Sequence, residues 1–175
     1  MQFKVWLLQE ERVMIPLPLR KQTSNYDCGP AALKSILSYF KVGPRSYNQF
    51  VKECGTTEKD GTDPKNLIKV AKSYGLKTKE YHNMSIDQLE KLIDENKPVI
   101  VDIQAWGEEK QIKNLSSGHY AIAVGYDNKK IYFQDPFYQA KNRRSMDKKE
   151  FVKRWKDKKT NGEILKQYGI AIWKN

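Results

Sequence analysis

Apolar residues recur every three or four positions through most of the first hundred residues, then gather into short β-branched blocks. Helical periods first and strand-type runs later point to an α+β chain, a helical N-terminal half packed on a C-terminal antiparallel sheet. Val13 to Arg20, with Pro16 and Pro18, reads as extended, because proline is confined to edges and irregular stretches. Gln22 to Pro30 is a polar loop that runs into a helix over Ala31 to Phe40, whose Leu33, Ile36, Leu37 and Phe40 share a face. Pro30 suits the first turn, and Gly43-Pro44 marks the end. Ser46 caps a short helix to about Glu53. Asp63-Pro64 starts another, with Leu67, Ile68 and Ala71 inward and Gly75 as its stop. Leu76 to Tyr81 reads as a short strand. Ser85 and Gln88 form a capping box for a helix through Leu89, Leu92 and Ile93 that ends at Asn96-Lys97-Pro98.

Val99 to Ile103 has the composition of a buried strand. His119 to Tyr126 and Lys130 to Gln134 flank Asp127-Asn128-Lys129 and read as a hairpin with its turn centred on Asn128. Asp147 to Asp157 reads as a helix with Phe151, Val152 and Trp155 inward, and Tyr168 to Trp173 as a last strand. The length of 175 residues suits one domain over 1–175, large enough to bury a core without disulfides or metals.

The net charge is +11, from 32 Lys and Arg against 21 Asp and Glu. The lysines are spread along the chain. The densest run, Lys141 to Lys159, still holds Asp147, Glu150 and Asp157, and no zinc-finger, basic-zipper or RNA-binding signature accompanies it. The charge therefore reads as a solvated surface, and no nucleic-acid partner is expected. The two cysteines, Cys28 and Cys54, make neither a disulfide framework nor a metal-ligand spacing, and free thiols fit a reducing compartment. The apolar start is too short for a signal-peptide core, and no run approaches the roughly 18 residues of a membrane span. The expectation is a cytoplasmic protein that needs no cofactor or metal.

Chemistry concentrates at Cys28, where a loop becomes a helix. The unpaired N–H groups and dipole of a helix N-terminus stabilise an anion such as a thiolate. Gly29 leaves the backbone there uncluttered. A thiolate nucleophile needs a partner that is a cation near neutral pH and can return a proton, which is histidine chemistry. Of two histidines, His119 opens a strand beside the small residues Ala121 and Ala123, whereas His82 falls in a loop and is the weaker candidate. Asp135, at the end of the paired strand, is placed to orient the imidazole. Gln22, six residues before Cys28, can add a side-chain amide to the Cys28 backbone N–H as an oxyanion donor. Asp27 reads as a helix cap or a tie for the loop, since a carboxylate there opposes a thiolate. Cys54 reads as structural.

Gln22-Thr-Ser-Asn-Tyr-Asp-Cys-Gly-Pro-Ala-Ala-Leu33, Gly118-His-Tyr-Ala-Ile-Ala-Val124 and Asp135-Pro136 together resemble the C39 peptidases, papain-fold enzymes that remove double-glycine leader peptides, often as a domain of a bacteriocin exporter. The resemblance spans roughly residues 13 to 140. It implies a papain-like fold, with Cys28 as nucleophile, His119 as base and acid, Asp135 as orienter and Gln22 as oxyanion donor. It implies a peptide or protein substrate, cleavage after a double-glycine motif, and association with an export system. Without a membrane span or ATP-binding module, the chain is expected to be a standalone or excised domain of this type. Acyl transfer or side-chain amide hydrolysis by the same residues, and peptide binding by an idle site, stay open at this point.

Overall fold

The computed structural model describes residues 12–105, 108–137, 144–159 and 161–175. The apolar start and the first residues of the lysine-rich run at 141–143 lie outside the described residues.

Strand β1 (Val13–Met14) leads through a long loop to α1 (Cys28–Tyr39), α2 (Tyr47–Glu53) and α3 (Pro64–Ser73). Then come β2 (Lys77–Tyr81), α4 (Ile86–Asp94), β3 (Val99–Gln104), α5 (Glu109–Asn114), β4 (Gly118–Tyr126) and β5 (Lys130–Gln134). The chain closes with β6 (Arg144–Asp147), α6 (Lys148–Arg154), β7 (Lys156–Lys158), β8 (Ile164–Lys166) and β9 (Gly169–Trp173).

The helix starts follow their local chemistry. Ser46 Oγ accepts from Gln49 N–H, Asp63 accepts from Lys65 N–H ahead of Pro64, and Ser85 and Gln88 satisfy one another in both directions. The stop of α1 differs from expectation. Lys41 takes the left-handed conformation at φ 56°, and Val42 N–H returns to the Leu37 carbonyl, so the helix ends before Gly43-Pro44.

The main sheet is antiparallel and runs β2-β9-β3-β4-β5-β6, with β1 added beside the far end of β4. Two of its strands, β1 and β2, come from the half that reads as helical. Helix α1 packs on β4 and α3, and α4 covers β1, β3 and β4. The core is continuous: Leu33, Ile36 and Leu37 of α1 join Val99, Val101, Ile122 and Ile170 of the sheet. Each such side chain contributes roughly 1.5–3 kcal/mol by leaving water.

Three features of the second half depart from expectation. The hairpin turn is the two-residue Asn128-Lys129, with Tyr126 opposite Ile131, so it does not centre on Asn128. A bulge between Ala123 and Gly125 then shifts the pairing to Ile122 opposite Gln134. The helix expected over Asp147 to Asp157 covers only Lys148–Arg154, and Asp157 instead lies in β7, paired with β8. Val152 faces solvent, while Phe151 and Trp155 are buried. The Phe151 and Trp155 rings stack at 4.4 Å, Phe133 lies 5.2 Å from Phe151, and Trp155 Nε1 donates to the Tyr168 carbonyl at 2.8 Å. The indole thus bonds α6 to the segment before β9.

Trp155→Ala is expected to cost about 3–5 kcal/mol, from the cavity and the unpaired Tyr168 carbonyl. Trp155→Phe should lose less; denaturant melts of both variants check the order.

Candidate active site

Cys28 is the first residue of α1 and is half-buried. The helix approaches β4 so closely that a Cβ on Gly29 would lie 2.9 Å from Thr62 Oγ1 and 3.2 Å from Tyr120 Cδ2. Glycine is therefore required there by packing against the α2–α3 loop and β4. That loop is tied down in turn: Tyr120 Oη donates to the Thr62 carbonyl at 3.0 Å, and the Thr56 and Thr62 hydroxyls are 2.8 Å apart.

The loop before Cys28 is organised by Asp27. Its carboxylate accepts the backbone N–H and hydroxyl of both Thr23 and Ser24, and the Tyr47 hydroxyl at 3.0 Å. Of the two expected roles for Asp27 the structure has the tie, since its side chain makes no cap bond to α1. Burial opposes the charge, but the Thr23 and Ser24 donors outweigh it and hold Asp27 below the usual carboxylate range.

His119 stands near the start of β4, its side chain 11% exposed. Nε2 is 2.8 Å from Asp135 Oδ1, and the imidazole lines the same cleft as Cys28. With Nε2 engaged, Nδ1 is the nitrogen left for sulfur. Burial works against the imidazolium. The bond to Asp135 and the neighbouring Cys28 sulfur outweigh burial and push His119 up to about 10. Asp135 immediately follows β5 and is fully enclosed. It also accepts the Phe137 N–H at 2.9 Å and faces Arg144 Nε at 3.0 Å. Burial raises this carboxyl, and His119, Phe137 and Arg144 together bring it below the ordinary value.

Gln22 is buried in the Asp27-held loop. Its backbone N–H donates to the Pro136 carbonyl at 2.8 Å, which fastens the loop to the exit of β5. Nε2 donates to the Ser24 carbonyl at 2.7 Å, leaving a second amide hydrogen. Cys28 and His119 line a cleft of about 370 Å³. Its walls are the α2–α3 loop on one side, and Gly118, Tyr120, Asp102 and the β7 residues Asp157 and Lys158 on the other. Among the described residues no His, Cys, Asp and Glu cluster has the makings of a metal site, and no helix is long and apolar enough to cross a membrane.

The four residues singled out in the sequence thus occupy one neighbourhood: Cys28 and His119 on one cleft, Asp135 bonded to His119, and Gln22 on the adjoining loop. His82 is elsewhere, 3.6 Å from Glu80 and edge-on to Tyr168. Cys54 is a core thiol that burial, aided by Glu53, pushes up to about 12. Sequence reading missed Arg144, Tyr47, Tyr120 and the pair Asp102 and Asp157. One signal was present for Asp102, a carboxylate in the middle of the apolar run Val99 to Ile103.

Helices gathered against an antiparallel sheet, with a cysteine at a helix N-terminus facing a histidine on a strand, make this a papain-like fold. A family model described as the Peptidase_C39 like family matches residues 14–163, and the chain belongs to that family. Among solved structures it resembles the peptidase domain of Streptococcus ComA, a bifunctional ABC transporter of a quorum-sensing pathway (21% identity, 90% of this chain and 100% of that one, TM-score 0.66). It also resembles a double-glycine-motif protease from an AMS/PCAT transporter, solved with its leader peptide (22% identity, 93% and 94%, TM-score 0.63). A C39-like protein of Bacillus anthracis aligns at 17% identity over 95% of this chain and 99% of that one, with a TM-score of 0.71. Among curated protein sequences nothing matches.

The two ends of the ion pair give opposite pH dependences. Stability from the raised His119 is complete below its unfolded value of about 6.5 and is lost as pH rises through about 10. Stability from the depressed Asp135 and Asp27 is present above about 3.9 and is lost as pH falls through their lower folded values. In denaturant melts across pH, His119→Gln should show a smaller loss between about 6.5 and 10 and keep the acid loss that Asp27 supplies.

Proposed function

We propose that this chain is a cysteine peptidase in which Cys28, His119, Asp135 and Gln22 do the chemistry. The observation that carries the reading is the His119 imidazole, bonded to the enclosed Asp135 carboxylate and lining one cleft with Cys28 at the N-terminus of α1. The Cys28 sulfur, as thiolate, attacks a peptide carbonyl. The oxyanion is held by the Cys28 backbone N–H and the spare Gln22 amide hydrogen. His119 gives its proton to the departing amine, and water, deprotonated by His119, then hydrolyses the thioester. Asp135 fixes the tautomer and keeps the imidazolium paired, and Arg144 on its second oxygen keeps Asp135 ionised.

The substrate we propose is a peptide or protein cut after a double-glycine leader, supported by family membership and by the leader-bound relative. Work beside an export system on the cytoplasmic side is part of the same proposal, in keeping with two thiols outside any disulfide. The whole chain acts as one peptidase domain in this reading.

Incubation with a synthetic double-glycine leader peptide tests it. Hydrolysis is expected in wild type and lost in Cys28→Ala, and Gln22→Ala should lower kcat by a factor of about 100 or more. A thiol-alkylating probe should label Cys28 and spare Cys54. Undiminished hydrolysis in Cys28→Ala overturns the proposal. Binding without turnover identifies an idle peptide-binding domain, and a product joined to an added amine identifies acyl transfer.

A further inference from the structure

Next to the Cys28–His119 pair lie two acidic side chains that the chemistry above does not use. Asp102 is the only charged residue of β3, is 4% exposed, and stands directly across the sheet from Tyr120. Asp157 belongs to β7, at the cleft wall. Asp102 and Gln104 are two apart on β3 and share a face, and Asp157, bonded to Gln104, lines the same cleft as Asp102, so the two carboxyl groups are neighbours. Neighbouring carboxyl groups, one of them buried, favour one proton on the pair over two charges. Asp157 already has a donor: Gln104 Nε2 at 2.6 Å. Gln104 also donates to the Lys156 carbonyl and accepts from Ser117 N–H, which ties β3, β7 and the approach to His119 into one network.

We propose that Asp102 carries a proton at neutral pH and donates it in a hydrogen bond to Asp157, and that this bond is a clasp holding β7 as the wall of the cleft over Cys28. The proton belongs on Asp102, the more deeply buried of the two, because Gln104 already donates to the Asp157 carboxylate. Burial, then the Asp157 charge, drives Asp102 well above the usual carboxylate range, with only the His119 imidazolium acting against it. The surroundings favour the neutral form: the Cys28 thiol from α1, the phenols of Tyr120 and Tyr168, and Asp60 and Asp63 on the opposite cleft wall offer no cation. Lys158 and Lys159 line the cleft beside Asp157, on the side of the pair that keeps the charge. The wall is close-fitting, since a Cβ on Gly118 would fall on the Asp157 carboxylate. When the proton leaves, two adjacent carboxylates repel and β7 is released from β3. Asp102 and Asp157 are thus positioning residues. They act on the cleft of the proposed peptidase, and in that sense the inference rests on that reading.

The test needs no substrate. Infrared spectra of the intact chain should show a protonated-carboxyl C=O band at neutral pH that disappears on alkaline titration, that is missing in Asp102→Asn, and that titrates at lower pH in Asp157→Asn, where burial still acts on Asp102 but the neighbouring charge is gone. In parallel, Cys28 is alkylated with a small and a bulky iodoacetamide, mapped by mass spectrometry, and the ratio of the two rates is followed with pH. The ratio cancels the thiolate fraction and reports the width of the cleft. It should rise several-fold where the infrared band is lost. In Asp102→Asn, whose amide donates to Asp157 without a titrating proton, it should stay flat. Absence of the band at neutral pH overturns the shared proton. A band that titrates while the ratio stays constant overturns the clasp. Neither result depends on whether the chain hydrolyses peptides, so failure here is distinct from failure of the peptidase assay.

Discussion

A single bulged residue in the β4–β5 pair decides whether a histidine and an aspartate can meet. Near the turn Tyr126 faces Ile131, and past the bulge Ile122 faces Gln134. Continuing that register sets Asp135 across from Ala121, on the same face as His119 two residues along, which is a diagonal cross-strand neighbour. Without the bulge Asp135 would lie across from Ile122 and point to the opposite face, because a one-residue slip inverts every side chain beyond it. The bulge is anchored from outside. Glycine at 125 lets β1 come close, since a Cβ there would fall on the Val13 carbonyl oxygen and the Met14 sulfur. An extended segment far from Asp135 in sequence thus helps to place the orienting carboxylate.

The second placement, of Cys28, depends on the absence of a side chain at Gly29. The α1 terminus reaches β4 and the α2–α3 loop only because nothing stands between Gly29, Thr62 and Tyr120. Tyr120 and His119 are neighbours on one strand with opposite facings, so β4 serves two purposes. One face presents the imidazole to Asp135, and the other fixes through Tyr120 Oη the loop that walls the cleft. Moving β4 would disturb nucleophile, base and wall together.

What was legible in the sequence was local. Ser46, Asp63 and the Ser85–Gln88 box announce helix starts because a cap bonds residues two or three apart. The loop, helix and hairpin motifs around Cys28, His119 and Asp135 were legible for the same reason. What escaped was made by distant partners. The strand Lys156–Lys158 has no apolar residue, and nothing in Lys-Asp-Lys signals pairing until β8 lies beside it. Reading Asp147 to Asp157 as one helix put Asp157 on the wrong element and hid its meeting with Asp102. The hairpin reading reached the right neighbours by a different route from the chain, with a centred turn in place of a tighter turn followed by a bulge. Arg144 lies on the strand after Asp135, and only the β5–β6 pairing brings it back.

The enclosed carboxyl groups show how the fold manages charge around the thiol. A carboxylate leaves water at a cost that donors, a cation or a proton must offset. Asp27 takes donors, five N–H and O–H groups from Thr23, Ser24 and Tyr47. Asp135 takes cations, His119 on one oxygen and Arg144 on the other. Asp102 has neither in sufficient measure, and a proton is the remaining solution. The three solutions have different consequences for Cys28. Asp27 is the chain neighbour of the sulfur, and its charge is spent on the loop that carries Gln22. Asp135 acts on the sulfur only through the imidazole, where its charge promotes the imidazolium that a thiolate needs. A charged Asp102 would oppose the thiolate with no such return. Keeping that carboxyl neutral turns a repulsive neighbour into a hydrogen-bond donor for the wall of the cleft.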